Sequence, residues 1–563
     1  MGSQKDHIIA DLEAWPITKF YNNRAEFVEA LKLYTFSRLK EKNNDLISVL
    51  EKSIYMEKQR VKNKPWKVDP PDDKEYWSTL GKDLAGAQSP ENKEQIAEQM
   101  VSRIINRYAE EILGGFSPKT FKFARKFLTS VFKRLFNKIR FPFLIKAWGS
   151  KSELFDKIHV TGSIETTRSI FNKGTVILVP THFSNLDSIL LGYAIDSKVG
   201  IPAFTWGAGL NLFDYEILAR YMNRLGTYRV DRRKKNPIYL ETLKAMSSLS
   251  QHFGLNNIFF PGGTRSRSGA MEKNLKLGLL QSTLEAQRLN LQEKTDKKIF
   301  IIPVVLGYHF VLEANNLIEG HLRTSGREKY TRIRSGTSKL KKTWVVFKNL
   351  LRKETDVRVH FCQPLDVVGN IVDENGDSFD QTGKKVDIKD YFSLDDAINK
   401  DNQREKVYTQ ILATKIIDTY NKENIILSSH LLAFVAFRLT AKKFEGISVY
   451  EMMNRLNKKF EIDSEELHTE LSNVIAKLKL KEEEGELTLS EVVRSGATET
   501  IKEGIDKLGL FHQSRPLYRK NVNSFGSENL KLLYYYHNRL SGCLLYTSPS
   551  PRDQRGSRMP SSA

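Results

Sequence analysis

Hydrophobic and polar positions follow two different patterns along the chain. Up to about residue 150, apolar residues recur at helical spacing, for example from Arg24 to Ile54 and from Glu94 to Leu113. From about 151 to 370, short apolar runs alternate with helical patterns, and the helical period then returns from 402 to about 541. Alternation of this kind is typical of βαβ units. We therefore predict an α/β fold with a central mixed sheet, helices on its faces, and flanking N-terminal and C-terminal helical regions.

The same patterns predict five parts. A helical N-terminal region covers residues 1–150, and a catalytic domain covers 151–370. Residues 371–401 are rich in acidic and turn-forming residues, which predicts an acidic linker or surface excursion. A helical C-terminal region follows at 402–542. Residues 543–563 are rich in Ser, Pro and Arg without any apolar period, resemble translated vector sequence, and are excluded from the predictions of fold and function.

Short runs of β-branched and other apolar residues within 151–370 predict buried strands, and the longer amphipathic stretches between them predict helices. The predicted strands are Thr175–Val179, Ala203–Trp206, Ile258–Phe260, Phe300–Val305 and Val357–Phe361. The predicted helices include Leu212–Leu225, Pro237–Phe253 and Lys276–Leu291.

The turn after the first of these strands carries a candidate for catalysis. Pro180 ends the strand, and His182 follows at its carboxyl end, where open α/β sheets usually build their sites. Asp187 falls in the first turn of a helix that Ser184 can N-cap. One interpretation is a histidine base that a carboxylate orients and that takes a proton from a hydroxyl. The alternative is a capping box of Ser184 and Asp187, with His182 as an ordinary turn residue.

The overall charge changes this picture more than the rest of the composition does. A formal net charge of +21 indicates an anionic partner: a membrane surface, a nucleic acid or a phosphorylated substrate. Two cysteines, Cys362 and Cys543, supply neither a disulfide framework nor a metal-ligand spacing, which favours a reducing compartment. The N-terminus lacks a signal-peptide pattern and no apolar run is long enough to span a bilayer, so we expect any membrane contact to be peripheral.

Residues 117–143 predict an unusual amphipathic helix that combines aromatic and basic residues. This composition is typical of a helix that lies in a membrane interface. The alternative is a surface helix whose Phe face packs on the next domain. The basic residues are Lys119, Lys122, Arg125, Lys126, Lys133, Arg134, Lys138 and Arg140, and the apolar ones include Phe121, Phe127, Phe132, Leu135 and Phe136.

Two further loops have the chemistry of an anion site. The Gly262-Gly263 turn follows a predicted strand and lets backbone N–H groups approach an anion closely. Arg265 and Arg267 add planar, permanently charged groups that suit a phosphate, and Arg232 can do the same from a second loop. The alternatives are an ordinary strand-ending turn and a basic surface loop.

Taken in order, these pieces resemble the four sequence blocks of the glycerolipid acyltransferase family, of the glycerol-3-phosphate and lysophosphatidate acyltransferase type. One position departs from the pattern, because Gly262 stands where the third block of the family has Glu. The role of that Glu is therefore either absent here or supplied by another group. The matching residues are His182 and Asp187 in the first block, Gly226, Tyr228 and Arg232 in the second, Phe260, Pro261, Gly263, Thr264, Arg265 and Ser266 in the third, and Pro303 in the fourth.

Three segments resemble the larger, glycerol-3-phosphate branch of the family. The run from Arg265 to Gly269, R-S-R-S-G, looks like the R-S-R-T-G of that branch. The segments Leu427–Phe434 and Tyr535–Asn538 look like its C-terminal helical segments.

The resemblance implies transfer of a fatty acyl group to a hydroxyl of glycerol 3-phosphate, in phospholipid biosynthesis. The donor would be a thioester, acyl-CoA or acyl-carrier protein, acting as co-substrate without any metal or other cofactor. We expect peripheral contact with the cytoplasmic face of a membrane and no binding of nucleic acid. His182 and Asp187 would be catalytic, with His182 as general base, and the acceptor would be held by Arg232, Gly263, Thr264, Arg265 and Arg267.

Two alternatives stay open at this point. The acceptor can be lysophosphatidate, dihydroxyacetone phosphate or another lysolipid, since the blocks do not distinguish these molecules. A non-catalytic, basic binder of membranes or nucleic acid would explain the charge, but it would not explain four blocks in family order. The chain has no G-x-S-x-G elbow or P-loop that would indicate a hydrolase or an NTPase.

Overall fold

The computed structural model describes residues 5–43, 45–86, 90–137, 150–210, 216–324, 354–394, 397–444, 446–456 and 460–542. Residues 138–143 of the predicted basic helix, Cys543 and the 543–563 tail lie outside the described residues.

A seven-stranded mixed sheet, ordered β1-β7-β6-β2-β5-β3-β4, forms the centre of the protein. The five strands from β6 to β4 run parallel to one another, and β1 and β7 run antiparallel to them. The predicted fold class is confirmed. The strands are β1 (Ile158–Gly162), β2 (Gly174–Pro180), β3 (Thr205–Gly209), β4 (Thr227–Val230), β5 (Asn257–Ile258), β6 (Lys298–Tyr308) and β7 (Val357–Phe361).

The central strand β2 is buried on both faces, because its apolar run lets it contact a different core on each side. Ile177 and Val179 belong to the core that the C-terminal helices cover. Val176 and Leu178 point the other way, into the core beneath the helices around residues 118–194. Since side chains alternate along a strand, an uninterrupted apolar run is what a sheet covered on both faces requires.

Among the described residues, seven α-helices precede the first strand, and most of them pack into a core of their own together with α11. They are α1 (Pro16–Asn22), α2 (Arg24–Lys42), α3 (Leu46–Asn63), α4 (Asp73–Ala85), α5 (Pro90–Ile112), α6 (Pro118–Phe136) and α7 (Lys151–Lys157). The helices between the strands are α8 (Ile164–Ile170), α9 (Asp187–Ala194), α10 (Glu216–Met222), α11 (Pro237–His252), α12 (Leu277–Gln292) and α13 (Ala314–Thr324).

The C-terminal region covers the β2 face that carries Ile177 and Val179. Its helices are α14 (Asn402–Lys422), α15 (Ser428–Lys442), α16 (Val449–Arg455), α17 (Ser464–Glu483), α18 (Glu491–Ser495), α19 (Ala497–Lys507) and α20 (Leu530–His537). Short strands accompany them and the acidic stretch before them: β8 (Ile371–Val372), β9 (Ser378–Phe379), β10 (Lys385–Val386), β11 (Ser393–Leu394), β12 (Ala397–Ile398), β13 (Ile425–Ile426), β14 (Ile462–Asp463), β15 (Thr488–Leu489), β16 (Tyr518–Arg519) and β17 (Ser524–Gly526). The boundaries of the five predicted parts stay predictions.

The structure differs from the sequence-based prediction at several elements. The amphipathic run from Arg24 to Ile54 is two helices, because α2 ends at Lys42 and Asp45 caps a new helix by accepting from Ser48 N. Strands β1 and β4 were not predicted. Both lie at the edges of the sheet and are only partly buried, so they lack the apolar runs that reveal the central strands.

Helix α6 spans one face of the sheet. Ser117 N donates to Arg224 O at 2.9 Å at its start, and Thr355 N donates to Phe136 O at 3.1 Å at its end. Phe132 and Phe136 are buried, so part of the predicted packing alternative holds, whereas Phe127 is 57% exposed. In the part of the chain that the structure describes, no helix has both the length and the apolar character that crossing a bilayer requires.

Candidate active site

The turn between β2 and α9 places His182 directly against Asp187. The Nδ1 atom of His182 donates to Asp187 Oδ2 at 2.8 Å, and the same oxygen accepts the backbone N–H groups of Phe183 at 2.7 Å and Ser184 at 2.9 Å. Asp187 is fully buried, while one fifth of the His182 side chain is exposed. Three donors therefore hold the carboxylate, and the carboxylate sets the imidazole tautomer that carries its proton on Nδ1.

The free nitrogen of the imidazole is consequently Nε2. It has no hydrogen-bond partner among the described residues, so it is the atom that a substrate hydroxyl can approach. The structure thus brings the predicted pair together, and its catalytic role stays a prediction.

The capping box of the alternative forms only in part: the Asp187 carboxylate accepts from Ser184 N, but the Ser184 hydroxyl does not accept from Asp187 N. Helix α9 begins at Asp187 without a side-chain cap, so Ser184 is not its N-cap. The Ser184 hydroxyl instead donates to Glu313 Oε2 at 3.0 Å and accepts from Leu186 N at 3.2 Å. Asp187 is used by the turn and by the imidazole, because its carboxylate accepts donors that precede it in the chain.

The third block contacts the first through its backbone and one aromatic ring. The Phe260 ring stacks on the His182 imidazole with centroids 4.1 Å apart. The His182 carbonyl accepts from Ser266 N at 2.7 Å, and the His182 N–H donates to Glu272 Oε1 at 2.8 Å. The backbone of the histidine is thus held on both sides by one loop.

The glycines of the third block make the tight turn that the sequence predicted. Gly263 adopts φ +76°, which favours glycine, and its N–H donates to Phe260 O at 3.0 Å. Thr264 and Arg267 are exposed. Among the described residues, no hydrogen bond or ion pair engages the guanidinium of Arg267.

The other two predicted arginines already have protein partners. Arg265 Nη1 pairs with Glu313 Oε1 at 3.1 Å, and both side chains are partly exposed. Arg232 is exposed and donates from Nη2 to Gly263 O at 2.8 Å, which joins the second block to the third. The structure therefore brings Arg232 to the loop that carries Gly263 and Arg265.

The remaining matches of the second block, Gly226 and Tyr228, lie in the core and not beside these arginines. Gly226 has φ +78°, and a Cβ there would lie 2.4 Å from Ile17 Cδ1. Tyr228 is buried, packs on Gly207 and has a pKa raised to about 12 by burial. These residues hold the N-terminal helices on the sheet.

The C-terminal region supplies contacts that sequence reasoning did not assign. The guanidinium of Arg539 lies 3.7 Å from the centroid of the Phe183 ring, and its Nη2 donates to Leu306 O at 2.7 Å. Asn538 Nδ2 donates to Ser268 O of the third block at 2.9 Å. The segment Tyr535–Asn538 thus contacts the third block, and the adjacent Arg539 contacts the turn between β2 and α9.

Glu313 was also missed, because a single Glu after a strand carries no signal in the sequence. Its carboxylate joins the first and third blocks by accepting from Ser184, Asn185 and Arg265. Two buried atoms near it, Asp187 Oδ1 and the Tyr308 hydroxyl, have no hydrogen-bond partner among the described residues. Burial and then the charge of Asp187 raise the pKa of Tyr308, which keeps this phenol neutral.

A cluster with metal-ligand spacing lies elsewhere, at His309, Asp356 and Glu503. The ammonium of Lys507 pairs with both carboxylates, at 2.7 Å from Glu503 Oε1 and in direct contact with Asp356. The protein's own cation therefore occupies the position between these carboxylates.

Comparison with known proteins gives a consistent picture. Residues 157–307 match the model of the Acyltransferase family. The chain is 27% identical over 239 residues to a glycerol-3-phosphate acyltransferase of Aeromonas hydrophila, covering 42% of this chain and 26% of that protein. It is 29% identical over 227 residues to the enzyme of that name from Pseudoalteromonas translucida, covering 40% of this chain and 24% of the relative. The chain thus spans about a quarter of the length of these curated relatives.

Residues 157–307 are thus similar to the acyltransferase domain, and part of the chain is similar to glycerol-3-phosphate acyltransferases. Among solved structures, a 1-acyl-sn-glycerophosphate acyltransferase from Thermotoga maritima aligns with 69% of this chain and 95% of its own, at 13% identity and a TM-score of 0.24.

Within the residues that match the family model, the fourth block is a strand position at the centre of the sheet. Pro303 lies opposite Val179 of β2, and its carbonyl accepts from Cys362 N at 3.0 Å. The ladder between β6 and β7 begins only at Val304. The missing N–H of the proline therefore falls just outside that ladder.

Proposed function

We propose that this protein transfers a fatty acyl group from a thioester to a hydroxyl of glycerol 3-phosphate. The observation that carries the proposal is the buried, triply held Asp187 carboxylate against His182, whose Nε2 has no partner among the described residues, with arginines in the loop that contacts this turn. A base of this kind activates a hydroxyl, and arginine side chains suit a phosphate.

The proton balance of the reaction follows from the tautomer. The acceptor oxygen attacks the thioester carbonyl while Nε2 of His182 takes the hydroxyl proton. The tetrahedral intermediate then collapses, the sulfur leaves, and Nε2–H returns the proton to the thiolate. Asp187 stabilises the imidazolium that exists between these steps, as a carboxylate does in a Ser-His-Asp triad. The proposed steps need no metal or other cofactor.

The arginines of the second and third blocks are the proposed acceptor site. Arg267 is exposed, and no described residue forms a hydrogen bond or ion pair with it. Arg265 is shared with Glu313, and Arg232 donates one bond to Gly263 O. A phosphate can therefore contact Arg267 directly and compete with Glu313 for Arg265. The names of the curated relatives favour glycerol 3-phosphate over lysophosphatidate as the acceptor.

Helix α6 is the proposed contact with a membrane surface. Phe123 and Phe127 are 54% and 57% exposed, and the Phe123 ring stacks on Tyr221 at 5.6 Å. Lys122 and Lys126 are exposed on the same stretch of the helix. Exposed aromatic rings among basic side chains supply both the apolar and the electrostatic contribution that binding to an anionic interface needs.

A matrix of acceptors and donors tests the proposal. Purified full-length protein would be offered glycerol 3-phosphate, dihydroxyacetone phosphate and lysophosphatidate, each with acyl-CoA and with acyl-carrier protein. We expect acylation of glycerol 3-phosphate that is lost in His182→Ala. Preferred acylation of lysophosphatidate would support the alternative acceptor, and the absence of all acylation by folded wild-type protein would overturn the proposal.

A further inference from the structure

A buried carboxylate that the proposed mechanism does not use lies between the first and third blocks. Glu272 Oε1 accepts the backbone N–H of His182 at 2.8 Å. Its Oε2 is buried without a hydrogen-bond partner among the described residues. Burial raises the pKa of Glu272 although the His182 N–H bond opposes this shift. Burying an acidic group without full hydrogen bonding costs stability, so its presence here points to a function.

The position of this side chain explains why residue 262 is a glycine. A Cβ added to Gly262 would lie 3.0 Å from Glu272 Cγ and 3.4 Å from Glu272 Oε1. A side chain starting at residue 262 would therefore enter the volume that the Glu272 side chain fills. The two positions compete for one place beside the His182 backbone.

We propose that Glu272 is a positioning residue for His182, and that it supplies from position 272 the carboxylate that position 262 lacks. The His182 backbone is held at its N–H by Glu272 and at its carbonyl by Ser266. With Nδ1 bound to Asp187, these contacts fix the direction of Nε2. Misplacement of a reacting group by about 1 Å costs on the order of 10²-fold in rate, so the effect belongs in kcat.

The first test compares Glu272→Ala with Glu272→Gln, and its activity readout rests on the proposed function. The alanine variant loses the acceptor of the His182 N–H, whereas glutamine keeps an oxygen of the same shape there. We expect Glu272→Ala to lower kcat about 10- to 100-fold, with the KM of the acceptor changed less than about twofold. Glu272→Gln should restore most of the lost kcat. Equal loss in both variants would overturn the proposal.

The second test exchanges the two positions. Glu272→Gly should resemble Glu272→Ala, and Gly262→Glu alone should be impaired, because two side chains then claim one volume. In the double variant Gly262→Glu/Glu272→Gly a carboxylate can reach the vacated place, and we expect kcat at least about tenfold above that of Glu272→Gly. A double variant no better than the worse single variant would show that the exchange does not occur.

A third readout is independent of acyl transfer. Labelling the 11 histidines with ¹⁵N and comparing the spectrum with that of His182→Ala identifies the His182 amide. The chemical shift of the His182 amide should change in Glu272→Ala and stay near its wild-type value in Glu272→Gln. The matched control is Glu405→Ala, which breaks a buried pair with Arg288 at 2.7 Å and should lower the Tm without moving this amide.

These readouts separate two failures. If the wild type transfers no acyl group but the His182 amide shifts as expected, the proposed function fails and the positioning role stands. If the wild type is active and Glu272→Ala loses activity only in proportion to its Tm, with the amide unmoved, Glu272 is merely structural and the inference is overturned.

Discussion

The two sides of the candidate site, the His182–Asp187 pair and the arginines of the second and third blocks, are built in opposite ways. On the proton-transfer side, Asp187 is fully buried and accepts three hydrogen bonds through one oxygen. On the side of the arginines, Arg232 and Arg267 are exposed, and Arg265 shares a partly exposed pair with Glu313. The first, closed side is buried and its hydrogen bonds fix the side-chain orientations, whereas the arginines of the second, open side are exposed and can change partners.

The difference fits the roles proposed for the two sides. A general base works only if its nitrogen is fixed within a fraction of an ångström of the proton that it takes, so burial and several hydrogen bonds are needed. An anion site must release its ligand, and its cations must reach water when it is empty. Long arginine side chains at the surface meet both needs, at the cost of weaker individual contacts.

The largest effect should come from removing the base. His182→Ala should lower kcat by on the order of 10²–10⁴, because the acceptor hydroxyl loses its proton acceptor. The fold should survive, since only the imidazole is removed from a partly exposed position. Single-turnover acylation with circular dichroism as the folding control measures both. Turnover within a factor of about three of wild type would break the comparison at its closed side.

The next largest effect should be on stability, and it should come from the contacts that Arg539 and Asn538 make beside the closed side. Arg539→Ala removes a guanidinium that covers the Phe183 ring at 3.7 Å and donates to Leu306 O. We expect the free energy of unfolding to fall by about 3 kcal/mol, since a charged, buried donor is lost. Asn538→Ala should cost about 1 kcal/mol, because it removes one neutral hydrogen bond to Ser268. Thermal denaturation would contradict this order if both variants lowered the Tm equally.

On the open side, replacing each arginine should raise the KM of the acceptor more than the KM of the donor. Arg265→Ala should raise the KM of the phosphorylated acceptor about tenfold or more, because a charge-assisted contact worth about 1.5–3 kcal/mol is lost. Arg267→Ala should raise this KM less. Arg265→Ala leaves the Glu313 carboxylate unpaired near the phosphate, whereas no described carboxylate pairs with Arg267. Steady-state kinetics with each substrate varied in turn separates the two values of KM.

Glu313→Gln is the matched control for this side. It keeps one oxygen that can accept from Asn185 N, and its amide nitrogen can donate to the Ser184 hydroxyl, but it removes the charge that competes with the phosphate for Arg265. The KM of the acceptor should stay level or fall. Equal changes in the KM of donor and acceptor for Arg265→Ala would mean that this arginine is structural.

The smallest effect concerns the outer surface of α6. Lys119, Lys122 and Lys126 are exposed, and each should add about 1 kcal/mol near anionic lipid at low salt. Arg125 differs from these, because it pairs with Asp196 at 2.6 Å. Replacing the three lysines with Gln should weaken flotation with anionic vesicles mainly at low salt, whereas Phe123→Ser/Phe127→Ser should weaken it at all salt concentrations. Unchanged flotation of both variants would show that the membrane is met elsewhere.

The sequence predicted those elements whose pattern is local. The run Thr175–Val179 reveals β2 because a strand covered on both faces must be apolar throughout. The edge strands β1 and β4 escaped notice because half-buried edges tolerate polar residues such as His159 and Arg229. The break between α2 and α3 was missed because the helical period continues on both sides of it.

The sequence by itself determined the pairing of His182 with Asp187 and its place at the end of a buried strand. His182 and Asp187 are five positions apart, so one turn brings them together with little loss of chain entropy. Only the tertiary structure decided which groups surround that pair. Glu272, Glu313 and Arg539 look like any solvated charge in the sequence, and they reach the site because the sheet and the C-terminal helices pack together. Contacts between distant residues are selected by packing of the whole core, and no local period records them.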